Sequence, residues 1–175
     1  MKKEISDVII RKAKLGDEYG IVDIIREGLK RKTSNYTGTR KITQDKVEKT
    51  KKSLESKHPE GYHFVAVDKS TNKIVGSLWF GFRGNHSRLR HRGELGWGVH
   101  PDYQGKGIAT KMLTEALKFA KKKGFKRAEA EMAIENKASW KLALRCGFKI
   151  EGTKKKAMLT DDGRYIDTYI VGKIL

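Results

Sequence analysis

The sequence predicts one α/β domain, α+β in kind, whose mixed and largely antiparallel sheet of about seven strands is flanked by about four helices. Three observations lead there. The chain has 175 residues, enough for one substantial core and too few for two comfortable ones. Strand-like and helix-like segments follow in the order strand, two helices, three strands, helix, strand, helix, two strands. Two of the strand pairs are joined by short polar turns, the mark of hairpins. Residues 1–175 are therefore read as a single domain.

Val8, Ile9 and Ile10 form a first strand, followed by a turn at Gly16-Asp17. Ile21, Ile24, Ile25, Gly28 and Leu29 recur at helical spacing. A weaker Lys-rich helix runs from Thr43, its expected N-cap, to about Ser56, and the polar stretch Arg31 to Arg40 between the helices reads as a loop. Tyr62 to Val67 and Ile74 to Phe82 make a hairpin around 68–73, and Arg83 to Arg92 is a basic loop. Glu94 to Val99 is a strand ended by His100-Pro101-Asp102. Ala109, Met112, Leu113, Ala116, Leu117 and Ala120 then define a sustained amphipathic helix, closed by Gly124 after three lysines. A strand (Arg127 to Ala133), a short helix (Lys137 to Cys146, closed by Gly147) and two strands (Phe148 to Gly152, Tyr165 to Leu175) complete the chain.

Composition narrows the class. No apolar run approaches the ~20 residues that span a bilayer, and no signal-peptide core follows Met1, so a cytoplasmic, membrane-free protein is expected. The single cysteine, Cys146, excludes an intrachain disulfide, and no histidine spacing suggests a metal site. Lys and Arg number 39 against 21 Asp and Glu, a formal charge of +18 that favours anionic partners: a nucleotide cofactor, nucleic acid, ribosomes or acidic peptides. Runs such as 121–123 and 154–156 are also what solvated faces look like.

The most informative segment is Gln104-Gly105-Lys106-Gly107-Ile108-Ala109, between a strand and the long helix. Small residues let the backbone turn tightly, and the first helical turn offers free N–H groups and the positive end of a dipole. Together they suit a pyrophosphate. The alternative is a plain strand-to-helix link. A Walker A loop is excluded because Gly107, not Ser or Thr, follows Lys106; the dinucleotide GxGxxG pattern fails at Thr110.

That segment matches the Q/R-x-x-G-x-G/A signature of the GNAT superfamily of N-acetyltransferases, which the chain resembles over nearly its whole length. Val99-His100-Pro101 matches the strand end before it, and Asn136 with Cys146-Gly147-Phe148 matches the spacing after it. The tail from Ile150 to Asp167 resembles the branch acting on amino acids, polyamines and ribosomal proteins. The resemblance implies the GNAT fold and acetyl-CoA as co-substrate, with its pyrophosphate on the amides of Gln104, Gly105, Lys106, Gly107, Ile108, Ala109 and Thr110. It implies that the pantetheine arm lies beside Val99, whose neighbourhood supplies an N–H to the thioester oxygen, and that Asn136 contacts the cofactor.

The resemblance also suggests Glu94 as general base, acting through water; simple pairing with Arg92 is the alternative. A terminal α-amine is roughly one-sixth unprotonated at pH 7, but a lysine side chain only about one part in a few thousand. The tyrosine that many family members place seven residues after the asparagine is Ala143 here. The ribosomal-protein branch that the tail resembles carries a serine three residues after the asparagine, so the resemblance implies Ser139 as the partner of the leaving thiolate; an ordinary first-turn serine is the alternative. The acceptor is expected to be a primary amine on an amino acid-like molecule or a peptide N-terminus, met by Tyr36, Arg40, Trp79, Phe82, Arg83, Asp161 and Asp162. A second class of reading is a GNAT-fold module associating with nucleic acid or ribosomes through its basic surface. Homodimers are frequent in the families it resembles, and the sequence leaves the oligomeric state open.

Overall fold

In the computed structural model, which describes residues 7–31, 44–55, 61–82, 87–160 and 162–175, one sheet carries the whole chain. The elements are β1 (Val8–Lys12), α1 (Glu18–Lys30), α2 (Gln44–Glu55), β2 (Gly61–Asp68), β3 (Ile74–Gly81) and β4 (Arg92–Val99). They continue as α3 (Ile108–Lys122), β5 (Arg127–Ala133), α4 (Lys137–Arg145), β6 (Lys149–Leu159) and β7 (Tyr165–Ile174). The strand order is β1-β2-β3-β4-β5-β7-β6. Every neighbouring pair is antiparallel except β4 and β5, which are parallel.

Alternation along the strands separates two faces. Phe64 and Ala66 of β2, Leu78 and Phe80 of β3, Leu95 of β4 and Ala128, Ala130 and Met132 of β5 join one apolar cluster with α3. From α3 come Ile108, Met112, Leu113, Ala116, Leu117 and Ala120, the stripe that the 3.6-residue period predicts apart from its first member. On the other face Val65 and Val67 pack with Ile21 of α1, and Leu54 of α2 lies against them. Among the described residues this second layer lies on the β1–β4 half of the sheet: α1 lies on Gly98, where an added Cβ would sit 3.3 Å from Ile24 Cγ2.

Two differences from the sequence reading have physical causes. β6 runs to Leu159 instead of stopping near Gly152. It is an edge strand whose lysines give no apolar alternation, and its pairing skips between Lys154 and Met158. At that bulge Lys156 takes a φ of 49°, and its N–H donates to Asp167 Oδ1 at 2.9 Å. Phe82 stacks on Phe125, ring centroids 5.0 Å apart, so it belongs to the α3-side core and not to an acceptor pocket. The Arg92 guanidinium pairs with Glu129 (3.3 Å). Thr43, Tyr36, Arg40, Arg83 and Asp161 lie outside the described residues.

Gly93 tests the α3-side packing. A Cβ there would stand 2.4 Å from Phe80 Cζ, and Phe80 is fully buried against Phe125. Gly93→Ala should cost about 1–3 kcal/mol and lower the thermal midpoint by roughly 3–10 °C, read by calorimetry.

Asp17 fixes the entry to α1. Its carboxylate takes both Arg11 nitrogens (2.6 and 2.9 Å) and the Lys14 N–H (2.8 Å). Burial works against its charged form, but these donors outweigh burial and hold its pKa below the ordinary carboxylate value. The stabilisation is therefore present above the unfolded-chain value of about 3.9 and is lost as pH falls through the lower folded value. Asp17→Asn should cost about 1.5–3 kcal/mol at pH 7. In denaturant titrations the gap from wild type should close progressively below about pH 4.

Candidate functional site

Because β4 and β5 run in parallel, their C-terminal ends meet at one edge of the sheet, and each is followed there by a helix N-terminus. β4 leads through a short 3-10 turn, Pro101–Tyr103, and Gln104–Gly107 into α3. β5 leads through Ile134–Asn136 into α4. The structure thus gathers Val99, residues 104–110, Asn136 and Ser139 at one edge.

The two parallel strands stay paired only briefly. Their register is Arg92↔Arg127, Gly93↔Ala128 and Glu94↔Glu129, and it ends there although both strands continue. Which main-chain groups face the resulting fork follows from the outer pairings. His100 N–H donates to Val75 O (2.9 Å) with Val99 opposite Gly76. Alternation then turns the peptide groups of Leu95, Trp97 and Val99 toward β5. Ile134 N–H donates to Asp167 O (3.1 Å) with Ala133 opposite Thr168, which turns those of Glu131 and Ala133 toward β4. Gln104 Nε2 donates to Val99 O at 3.1 Å, so the turn closes over the fork's mouth.

The turn has the conformation its glycines predict. Gly105 and Gly107 have φ of 74° and 75°, left-handed values that β-branched residues avoid. The first α-helical bond runs from Lys111 N–H to Gly107 O (3.1 Å). The N–H groups of Ile108, Ala109 and Thr110 precede it, and Gly107 has no side chain to cap them. No acidic residue occupies the first turn of α3. Lys106 lies beside this array, donating to Asp102 O (2.9 Å) with its ammonium 4.9 Å from the Tyr103 ring centre. The arrangement is a cradle of amides and positive charge for an anion.

Asn136 is the N-cap of α4, its Oδ1 accepting the Ser139 N–H at 3.2 Å. It is half-buried, as is Ser139. Glu94 stands at the closed end of the fork, on the face away from α3. Five strand steps separate it from Val99, about 16 Å, and three separate it from Trp97, about 10 Å.

That face also carries residues the sequence reading passed over. In Arg127-Ala128-Glu129-Ala130-Glu131 the charged positions alternate with buried alanines, so Arg127, Glu129 and Glu131 share the face of Glu94. The alternation was visible; its meaning depended on where β5 sits. Glu131 accepts from Thr168 Oγ1 (2.7 Å) and Lys154 Nζ (2.6 Å). Arg127 bridges Glu129 (3.2 Å) and Glu151, and it holds the Glu151 carboxyl below its ordinary pKa. Asp162, in the β6–β7 turn, is held down to about 2 by Thr160 and Arg164. Among the described residues no cluster of three or more His, Cys, Asp or Glu is placed to hold a metal ion. No helix among them is long and apolar enough to cross a membrane.

Comparison with known proteins agrees with this geometry. Residues 8–149 match the model of the acetyltransferase (GNAT) domain. The chain is 30% identical to the L-amino acid N-acyltransferase MnaT of Escherichia coli over 103 residues, 59% of each chain. With the ribosomal-protein-serine acetyltransferase of E. coli it shares 25% over 132 residues, 73% of this chain and 72% of that one. It spans less than two thirds of the length of the first curated relatives it matches. A phosphinothricin acetyltransferase from Sinorhizobium meliloti, solved in complex with AcCoA, superposes with a TM-score of 0.85 at 22% identity, over 97% of this chain and 89% of that one. With its domain match, its seven-stranded sheet and its glycine turn at the mouth of a forked parallel pair, the chain belongs to the GNAT acetyltransferase family.

Proposed function

We propose that this protein transfers the acetyl group of acetyl-CoA to a primary amine, on an amino acid-like molecule or a peptide N-terminus, by direct attack in a ternary complex. The observation that carries the reading is the fork, whose two strands part after Glu94 and Glu129 and whose mouth opens on the Gly105–Gly107 turn. An extended, amide-bearing arm fits such a gap as a short extra strand, and its pyrophosphate fits the amide cradle. Acetyl-CoA supplies the activated acetyl group and a thiolate leaving group; the rest falls to this chain.

The amides from Gln104 to Thr110, with Lys106, hold the pyrophosphate. Val99 lines the outer part of the arm, and Asn136 flanks it from the start of α4. The N–H that meets the thioester oxygen is assigned to Trp97, not Val99. Glu94 takes the amine's proton through water, and it is about 16 Å from Val99 but about 10 Å from Trp97. A glutamate side chain and one water span the shorter distance only. Negative charge developing on the oxygen is stabilised by that fixed N–H without reorganisation. Ser139, on the first turn of α4, donates to the departing thiolate.

The acceptor enters from the Glu94 side, because α3 and its core close the other face. An α-amine suits this design, since its deprotonation at neutral pH asks little of the base. The names of two relatives, one an L-amino acid acyltransferase and one a ribosomal-protein acetyltransferase, support the same range of acceptors.

Titration calorimetry with acetyl-CoA, followed by a thiol-release screen over amino acids and peptide N-termini, tests the reading. Wild type should bind. Gly107→Val, which forces a β-branched residue to a φ near 75°, should weaken binding at least about tenfold. No binding of acetyl-CoA or CoA by wild type would refute the proposal.

Steady-state kinetics separates the two catalytic assignments. Glu94→Gln should lower kcat about a hundredfold with little change in KM for acetyl-CoA, and should abolish the acidic limb of the pH–rate profile. Ser139→Ala should lower kcat roughly tenfold. A Ser139→Ala enzyme with undiminished turnover would remove the serine from the mechanism.

A further inference from the structure

The cofactor turn is tethered by its own Gln104, to Val99 O, and Lys106, to Asp102 O, but its two glycines add no side-chain support. Gly105 and Gly107 are chosen for freedom, and Gly107 offers no cap to α3. The residues just before the turn are tied down. Asp68, at the end of β2, is fully buried. Its Oδ1 accepts from Ser70 N–H (2.9 Å) and Ser70 Oγ (2.6 Å), and its Oδ2 accepts from the Tyr103 hydroxyl at 2.7 Å. Tyr103 immediately precedes Gln104, and its ring is covered by the Lys106 ammonium and met edge-on by His100, 5.8 Å between centres. His100, also buried, has its Nε2 3.1 Å from Lys73 Nζ. The β2–β3 turn thus grips residues 100–103 at two points.

A buried carboxylate is an expensive way to fill a core, because its desolvation must be met by donors before anything is gained. An apolar pair at positions 68 and 103 would pack at less cost. What the Asp68–Tyr103 bond adds is direction: it sets the rotation of Tyr103 and so the path of the chain into Gln104 and the perch of Lys106. We propose that Tyr103 is a positioning residue that holds the pyrophosphate turn in its binding-competent shape, and that it acts through Asp68. This rests on the acetyl-CoA reading above.

The test is titration calorimetry with CoA and acetyl-CoA, at least ~15 °C below each variant's melting midpoint, with steady-state kinetics beside it. Tyr103→Phe removes only the hydroxyl. It should raise Kd and KM for acetyl-CoA about tenfold, the order expected for one hydrogen bond to a charged group, while kcat at saturation stays within about twofold. Asp68→Asn should give a loss of similar size, and the double variant should lose no more than either single one, since the two act as a unit. Ser70→Ala, which removes another donor to the same carboxylate and leaves the aromatic core intact, should shift Kd in the same direction and serves if Tyr103→Phe does not fold.

A lower melting midpoint with Kd within about twofold of wild type would overturn the inference and leave Tyr103 as packing alone. Full additivity of the two losses would overturn the route through Asp68. Failure of wild type to bind CoA at all would instead overturn the acetyl-CoA reading, and this inference with it.

Discussion

The site depends on one short piece of parallel pairing. β4 is held by β3 from Glu94 to Val99, and β5 is held by β7 from Arg127 to Ala133. Between them the parallel register lasts only from Arg92↔Arg127 to Glu94↔Glu129. Two strands firmly fixed on their outer sides, in a sheet that twists, can part on the inner side without either one fraying. The gap is bordered by main-chain polar groups, and such groups are costly to leave dry. A wet or ligand-filled cleft is the consequence, and its position is set by the point where pairing stops. Everything else at the site is placed relative to that point: the glycine turn at the open end, Glu94 at the closed end, and α3 sealing one face.

Charge has to be read at the same scale. The chain as a whole carries +18, which argues against a strongly cationic acceptor if the field is treated as uniform. The face beside the fork does not share that excess. Glu94, Glu129, Glu131 and Glu151 lie among Arg92, Arg127 and Lys154 on strands β4, β5 and β6, and most of these side chains are tied in ion pairs. Screening over roughly 8–10 Å makes this local set, not the distant lysines, the dominant field beside the fork. The run Lys121–Lys123 meanwhile sits at the C-terminus of α3, where cations complement the helix dipole. Net charge therefore bears on association with large anions and says little about the acceptor.

How much of this was legible in the sequence depends on whether the signal was local. The α3 stripe, the Gly124 and Gly147 stops and the glycine turn are local patterns, and apart from the first member of the stripe each appears where the spacing put it. The β6 strand is the counterexample. Its second half is a lysine-bearing edge whose strand character comes from pairing with β7 and from Asp167 reaching back to Lys156, neither of which leaves a period-2 trace. Phe82 misled for a related reason: an aromatic residue at a strand end faces a pocket or a core according to a register that residue type alone does not reveal. The fork is the extreme case. No residue in β4 or β5 encodes it, because it exists only in the relation between two strands that are nearly thirty positions apart.

The division between main-chain and side-chain chemistry explains why the family shows through and the acceptor does not. The cradle, the cleft wall and the assigned oxyanion donor are peptide groups, which any sequence compatible with the backbone provides. Only positions whose geometry is demanding, such as Gly105 and Gly107 with their left-handed φ, are restricted in residue type. Those are the positions a motif records. In the proposed reading the acceptor instead meets side chains carried on the open face of β4, β5 and β6 and on the neighbouring turn, where substitution leaves the sheet intact. Recognition there would draw on the ion-paired carboxylates and cations of that face. In that reading a change at the Glu131–Lys154 pair alters the charge of the open face while the cofactor half stays as it is.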